Sequence, residues 1–572
     1  MPKSVESRVT PSSSDPEEDS RRLPRVAGKI PWSSWGIILI EFFEKFAMNG
    51  TYIVFTNFLQ QPLPPGSRTG AGFKGQSGAL NLGQQVATGV NYANSFWMST
   101  SPLFGAFIAD QYLGRYTTIQ WANFISLIGH VVLLVAALPP IIVSPMKAIV
   151  PFSIGLILMG VGFGGLKSNM STLVVEQIPD TKLQISTNKK GHRVLVDPGA
   201  TRARVLLYFY SMINIGSITG MISGVYAEKF VGFYLSFAVP TVVIIVCPLM
   251  LMWVRRRFPD YRSTPPSQSV LGNMFKLCAL AMKGQWSWNP VQLYRNLQHP
   301  DFWNRVKPSR ITNPPAWMTF EDSWIDEVSH GIQACKVFIW YPLLWPAHKQ
   351  QSSNMTSQAA TLRLGSIPND LLITLNPLFC IILTPIYAHI IYPRLARYGI
   401  RFALTKRIAL GFLSAAVAMA CAATLQHFIY ATSPCGRFTS KCRATANADS
   451  RLSLWYQLPV YFFIANSEVL AAVTGMQYAF QQAPQNMRSL VMALFLFTQA
   501  GASAFAQAML PLSRDPLLVW NYTTAGGMCV VGAVGVWWCN RGRGDEEPEV
   551  EVEKKGSGQQ GGRQQDMSAA RG

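Results

Sequence analysis

One run of residues, Ile37-Ile-Leu-Ile-Glu-Phe-Phe-Glu-Lys-Phe-Ala-Met-Asn-Gly50, sets three charged side chains inside an apolar segment. Glu44 and Lys45 follow Glu41 at spacings of three and four residues, so in a helix the three share one face. A charge at the centre of a bilayer costs about 2.5 to 3.5 kcal/mol, so this face must pair or line a wet cavity among several helices. The pattern predicts a pathway for a solute or for protons, with a buried structural ion pair as the alternative.

The composition is that of a membrane protein that crosses the bilayer several times. Of the 572 residues, 49% are hydrophobic and only 14% are charged, which excludes an ordinary soluble enzyme. The net charge of +20 does not indicate a nucleic-acid partner, because the basic residues concentrate between the apolar segments, as positive-inside topology requires. The lipid bilayer is therefore the expected large partner.

Apolar windows of about 20 residues, the length that a helix needs to cross the hydrocarbon, occur in two sets of six. We number them as segments one to twelve: 32–59, 86–110, 117–138, 148–176, 204–228, 231–254, then 332–353, 368–393, 405–430, 454–480, 486–511 and 517–540. The sequence predicts an all-α membrane protein of twelve transmembrane helices. Two pseudo-symmetric six-helix bundles, 32–254 and 332–540, would enclose a site near the midplane.

The loops predict the topology. Clusters of Lys and Arg place both termini in the cytoplasm, with disordered tails at 1–29 and 541–572. Residues 255–331 form a cytoplasmic linker, with an amphipathic surface helix near 272–282. On this topology Cys435 and Cys442 lie in an outer loop, where a disulfide persists once formed, although the sequence does not show whether the geometry allows it.

Other polar residues interrupt the apolar segments. Lys167 follows a glycine-rich turn in the fourth segment, and we expect its ion-pair partner to come from the first segment. Asn376 precedes a proline in the eighth segment, and Glu468 is a lone carboxylate in the tenth. His348 and Lys349 end the seventh segment, where they either face the cavity or extend to the interface.

These residues predict a chamber with two poles. The cationic pole comprises Lys45, Lys167 and Lys349, and the acidic pole comprises Glu41, Glu44 and Glu468. Such a chamber suits a zwitterionic solute. Protonation of Glu41 or Glu44 would release a lysine to bind a carboxylate of the solute, and this exchange would couple proton uptake to anion binding.

Several motifs carry a family resemblance. They are Glu41-x-x-Glu-Lys-Phe46, Gly105-Ala-Phe-Ile-Ala-Asp-Gln-Tyr-Leu-Gly-Arg115, Phe209-Tyr-Ser-Met-Ile-Asn-Ile-Gly-Ser217, Leu375-Asn-Pro377 and Tyr478-Ala-Phe-Gln-Gln-Ala-Pro484. From about Trp32 to Trp538 the chain resembles the proton-dependent oligopeptide transporter family of the major facilitator superfamily, and its fungal branch most closely.

The resemblance implies two bundles that alternate access across the membrane, driven by a proton gradient and without a cofactor. By position, Lys45 and Lys167 would hold the carboxylate of a peptide, Asn376 and Glu468 its amino end, and Glu41 with Glu44 would couple protons. A monomer in the plasma membrane that carries a small molecule or a short peptide is expected.

The sequence departs from the family pattern around this site. Met48, Asn49 and Ser99 stand where the family has tyrosines, Lys45 replaces an arginine, and His348 with Lys349 replace the acidic residues of bacterial relatives. The leading hypothesis is a proton-coupled symporter of small peptides or peptide-like compounds. The alternatives are a carrier for an anion such as nitrate or for a secondary metabolite, and a sensor that does not transport. An enzyme is not expected, because no HExxH metal motif and no paired nucleophile occurs.

Overall fold

Helices dominate the computed structural model. It describes residues 25–73, 75–178, 184–187, 193–258, 261–263, 270–289, 292, 295–296, 299, 301–311, 315, 317–364, 367–398, 402–439, 452–482 and 488–540. Helical structure occupies all twelve predicted segments. Within the described residues, seven helical stretches have the length and hydropathy to cross a membrane: Arg115–Ala136, Pro145–Glu176, Arg204–Phe230, Phe233–Arg257, Leu371–Leu395, Leu404–Thr432 and Leu454–Ala479. The number of twelve crossings stays a prediction.

The first half of the chain forms long helices. Their bounds are Trp32–Tyr52, Phe55–Gln60, Gly83–Ile108, Arg115–Ala136, Pro139–Ile142, Pro145–Glu176, Pro198–Phe230 and Phe233–Arg257. A π-helical turn, Ala109–Leu113, extends the second segment. Its end is held by Arg115, which pairs with Glu176 of the fourth segment. The six segments of this half therefore pack as a continuous bundle.

The second half is more interrupted. Its α-helices are Asp322–Ala334, Trp345–Lys349, Asn354–Ala360, Leu375–Ile386, Tyr392–Arg397, Leu404–Thr432, Leu458–Ser467, Thr474–Gln482, Arg488–Ala508 and Leu518–Asn540. They are joined by 3-10 turns at Cys335–Leu343, Gln350–Ser352, Leu371–Thr374, Leu454–Gln457 and Leu510–Leu512, and by π-turns at Tyr387–Ile391 and Glu468–Val473. One π-turn begins at Glu468, and such turns are frequent at functional sites.

Glycines fix the first segment against the fifth. A Cβ on Gly216 would meet the backbone carbonyl of Phe42, and one on Gly220 would meet that of Phe46. Small residues at this spacing allow two helix backbones to approach closely. The charged turn between Phe42 and Phe46 is therefore held at a fixed depth in the bundle.

The linker has a small core of its own. Its helices are Val270–Met282 and Asp301–Asn304, with a 3-10 turn at Pro308–Arg310. Met274 and Leu277 pack with Ile325 and Val328 of the helix that leads into the seventh segment. The predicted amphipathic helix is thus present, but its apolar side chains pack against protein, because the neighbouring helix supplies a matching apolar face.

A three-stranded sheet includes the end of the N-terminal segment that was predicted to be a disordered tail, residues 1–29. Arg25–Ala27 pairs in parallel with Arg193–Asp197, which also pairs antiparallel with Gln184–Thr187. Residues 25–27 were predicted to be disordered. They are instead a strand, because the hairpin before the fifth segment offers an open edge with unpaired backbone groups.

The two halves meet at one end through side-chain hydrogen bonds. Asn57 Nδ2 lies 3.3 Å from Asp370 Oδ2, and Gln84 Nε2 lies 3.1 Å from Asn354 Oδ1. Tyr52 adds a contact of 3.2 Å between its hydroxyl and that of Ser352. We call this closed part of the interface the Asn57 end. It comprises residues 52–60 and 76–91 of the first half and residues 352–357 and 369–370 of the second half.

Candidate functional site

Lys45 holds both glutamates of the first segment. Its Nζ lies 2.6 Å from Glu44 Oε2 and 3.4 Å from Glu41 Oε1. Both glutamates are buried, with 4% of Glu41 and 3% of Glu44 exposed, while Lys45 is half-buried. The predicted shared face is therefore present, and one ammonium engages two carboxylates.

Lys167 lies beside this group and contacts the same aromatic ring as Lys45. The Nζ atoms of Lys45 and Lys167 lie 5.0 and 5.2 Å from the centroid of the Phe163 ring. Among the described residues Lys167 forms no ion pair, although one with the first segment was predicted. The reason is that Lys45 engages both acids of that segment, so Lys167 is stabilised by the ring face instead.

Asn376 and Glu468 form the acidic pole of the second half. Asn376 donates from Nδ2 to Glu468 Oε2 at 2.9 Å, so the structure brings these two predicted residues together. Tyr210 of the fifth segment is close enough to interact electrostatically with Glu468. This pole therefore faces the first half of the molecule.

His348 and Lys349 point to different neighbours. His348 Nε2 lies 3.1 Å from Ser467 Oγ, which is in the same half of the chain. Lys349 donates from Nζ to Ser95 Oγ of the second segment at 2.8 Å and is close enough to Lys167 to repel it. The three lysines thus approach one another across the interface between the two halves.

The three positions that depart from the family pattern make modest contacts. Asn49 donates to Ser217 Oγ at 3.0 Å and to the Lys45 carbonyl at 3.2 Å. Ser99 donates to the Ser95 carbonyl at 2.7 Å, and Met48 is half-buried. Asn49 and Ser99 therefore form hydrogen bonds within their own helices, and Asn49 also bonds to the fifth segment.

Sequence reasoning missed three contributors to the site. Phe163 contacts two lysines, Ser95 accepts from Lys349 and Ser467 contacts His348. Ser95 precedes Ser99 by one helical turn, so a search for polar residues at helical spacing would have found it. Phe163 looks like any other apolar residue of a membrane segment.

The charged groups are accessible to water to a similar extent. Lys45, Lys167, Lys349, Asn376 and Glu468 are all half-buried. They come from both halves of the chain, and none of them is fully buried.

The predicted disulfide falls partly outside the described residues. Cys435 is disulfide-bonded, and the other seven described cysteines are free. Cys442, its predicted partner, lies outside the described residues.

Two helical halves that carry partly buried charges of both signs define a carrier that spans the membrane several times. The chain belongs to the POT family, which it matches over residues 116–524. It is 36% identical over 528 residues to the probable peptide transporter ptr2 of Schizosaccharomyces pombe, covering 91% of this chain and 80% of that protein. It is 31% identical over 534 residues to the peptide transporter PTR2 of Saccharomyces cerevisiae, covering 93% and 83%.

A solved structure shows the same fold. The crystal structure of the POT family transporter PepTSo superposes with a TM-score of 0.68 at 19% identity and covers 90% of this chain and 98% of that one. The predicted class, a helical membrane protein of the major facilitator type, is confirmed.

Proposed function

We propose that this protein is a proton-coupled symporter of short peptides or peptide-like zwitterions in the plasma membrane. The fungal relatives named above are a probable peptide transporter and a peptide transporter, and the lysines together with Glu468 offer this chain charges of both signs for a zwitterion. Both termini lie in the cytoplasm on the proposed topology, and a single chain contains the whole chamber, so a monomer is sufficient. The proton gradient is the only energy source that the mechanism needs.

The proposal rests on the contacts of two lysines. Glu41 and Glu44 both bind Lys45, whereas the adjacent Lys167 forms no ion pair with any residue that the structure describes. Protonation of one glutamate weakens the attraction on Lys45, because a neutral carboxyl no longer attracts the ammonium. The carboxylate of a peptide then binds between Lys45 and Lys167. Loss of the proton on the inner side returns Lys45 to its glutamates and expels the peptide.

The amino end of the peptide binds at the opposite pole. Glu468 accepts one hydrogen bond from Asn376 and keeps further acceptor capacity for an ammonium. Asn376 orients the carboxylate, since its amide is 2.9 Å away. A zwitterion would therefore bridge the two halves of the molecule and draw them together.

The arrangement of interface contacts supports alternating access. Side chains from both halves bond to one another at the Asn57 end. On the proposed topology this end faces outward, so the conformation is closed to the outside. Uptake requires that these contacts separate and re-form in each cycle.

Uptake of labelled dipeptide into proteoliposomes tests the function. An inward proton gradient is expected to drive accumulation in the wild type, and Glu44→Gln is expected to abolish the dependence on the gradient. Gradient-driven accumulation that survives this substitution unchanged would contradict the mechanism. Binding without flux in the wild type would support the sensor alternative.

The adjacent His348 and Lys349 motivate the second candidate, a carrier for an anion such as nitrate or for a secondary metabolite. A competition assay distinguishes a peptide carrier from a nitrate carrier. Displacement of a bound reporter by dipeptide and not by nitrate would exclude the nitrate version, and the reverse result would exclude peptide transport.

A further inference from the structure

The chamber holds one more cation than a simple zwitterion needs. Lys45 is compensated by two carboxylates, whereas Lys167 and Lys349 form no ion pair with any residue that the structure describes. Under the proposed function, the carboxyl end of a peptide binds at Lys45 and Lys167. Lys349 is then left without a counter-charge.

The surroundings of Lys349 make this position unfavourable for an isolated ammonium. The residue is half-buried, its Nζ donates to the neutral hydroxyl of Ser95, and the charged group that it senses is Lys167, which repels it. An ammonium removed from water needs an anion or several hydrogen bonds to offset its lost hydration. An anionic group on the substrate would supply the negative charge that the described residues around Lys349 do not supply.

The side chains of His348 and Lys349 have different hydrogen-bond partners. His348, the preceding residue, is turned to Ser467, which directly precedes Glu468. Lys349 instead crosses to the second segment, where Ser95 and Ser99 present small side chains one turn apart. A substrate group that extends toward the second segment therefore meets hydroxyls and two ammonium groups.

We propose that the preferred substrates carry a second anionic group, as in short peptides with an acidic side chain, and that Lys349 binds it. This inference rests on the proposed peptide transport and names its substrate class. Lys167 contributes to both anions, because it lies within electrostatic range of Lys45 and Lys349. Ser95 orients the Lys349 ammonium through its hydroxyl.

The test compares two labelled dipeptides of nearly equal size, Ala-Glu and Ala-Gln, in proteoliposomes under the same proton gradient. The wild type is expected to take up the acidic peptide in preference to the amide. Lys349→Gln is expected to lower the ratio of acidic to neutral uptake about ten-fold, which corresponds to about 1.4 kcal/mol. Lys349→Arg, which keeps the charge, is expected to retain most of the preference.

Lys147 provides a matched control, because it is an exposed lysine at the start of the fourth segment. Lys147→Gln is expected to keep the wild-type ratio. Equal uptake of both peptides by the wild type, or a ratio unchanged by Lys349→Gln, overturns the inference. If Lys349→Gln does not fold, the wild-type comparison alone decides. Failure of the wild type to take up either peptide contradicts the proposed function itself.

Discussion

Glu228 and Asp370, one from each half of the molecule, accept hydrogen bonds from the same atom, Nδ2 of Asn57, at 3.0 and 3.3 Å. Both carboxyl groups are buried, and the same nitrogen also contacts Asn369 Oδ1 at 3.0 Å. An amide nitrogen has two hydrogens for these three acceptors. Lys229 attracts both carboxyl groups and balances one negative charge. The closed Asn57 end is therefore most stable when the other carboxyl group is neutral.

We predict that the Asn57 end opens as the pH rises. Ionisation of both Glu228 and Asp370 places two negative charges near one cation, Lys229, and adds repulsion across the interface. The phenol of Tyr461 also lies within electrostatic range of Asp370 and stays uncharged in this pH range. The rate at which an impermeant thiol reagent modifies an introduced Ser357→Cys, divided by the rate for a cysteine introduced at the exposed Arg68 to remove the rise in thiolate with pH, should increase about ten-fold from pH 6 to pH 8.

The variant Glu228→Gln tests the cause of this opening. It removes one ionisable group while keeping a side chain of the same size, so the ratio of the modification rate at position 357 to that of the reference cysteine should become independent of pH and stay low. The parent protein without the introduced cysteine gives the background of the native thiols. A pH response in Glu228→Gln equal to that of the wild type would show that other groups control this end.

This cluster shows what the sequence could and could not predict. The charges of the first segment were evident, because their helical spacing within an apolar run is a local property. Asn57, Glu228 and Asp370 lie at the ends of segments, where polar residues ordinarily contact water, and the positions of Asn57 and Asp370 differ by 313 in sequence. Their meeting depends on how the two halves dock, which no local pattern specifies.

The environment of Lys167 also depends on how helices pack, here within the first half of the chain, and the sequence alone does not specify it. The sequence predicted a partner for Lys167 in the first segment, and Glu41 and Glu44 do lie within electrostatic range of it, but the ion pairs themselves are made by Lys45. Competition among cations for Glu41 and Glu44 is decided by distance, and Lys45 on the same helix is nearer. The Phe163 ring contacts both lysines.

We predict that Glu44→Gln and Glu41→Gln differ in strength. Glu44 holds Lys45 at 2.6 Å and Glu41 at 3.4 Å, so loss of the Glu44 charge releases the ammonium more completely. Peptide affinity at pH 8 should rise about ten-fold in Glu44→Gln and less in Glu41→Gln, because the peptide no longer competes with a carboxylate. Equilibrium binding of labelled dipeptide measures this. A larger effect in Glu41→Gln would reverse the assignment.

The acidic pole makes a prediction about the amino end of the substrate. Glu468→Gln should reduce uptake of a dipeptide with a free amino group at least ten-fold, because the charge that attracts the ammonium is lost. Asn376→Ala should have a smaller effect in the same direction, since Glu468 stays charged and loses only its orienting bond. Uptake of an N-acetylated dipeptide provides the control and should change little in either variant. Equal losses for both peptides would place Glu468 outside the amino-end site.

Packing of the first segment against the fifth gives a prediction about stability. Gly220→Ala would drive a methyl group into the carbonyl of Phe46, and overpacking of this kind costs about 1 to 3 kcal/mol. Gly527 provides a matched control in the helix Leu518–Asn540, because a Cβ there meets no atom within 4 Å. Gly527→Ala should keep or slightly raise the melting temperature, since alanine favours a helix by up to about 1 kcal/mol. The melting temperature of each variant is measured by thermal unfolding in detergent. A Gly220→Ala protein as stable as Gly527→Ala would show that the first and fifth segments can separate at this point without cost.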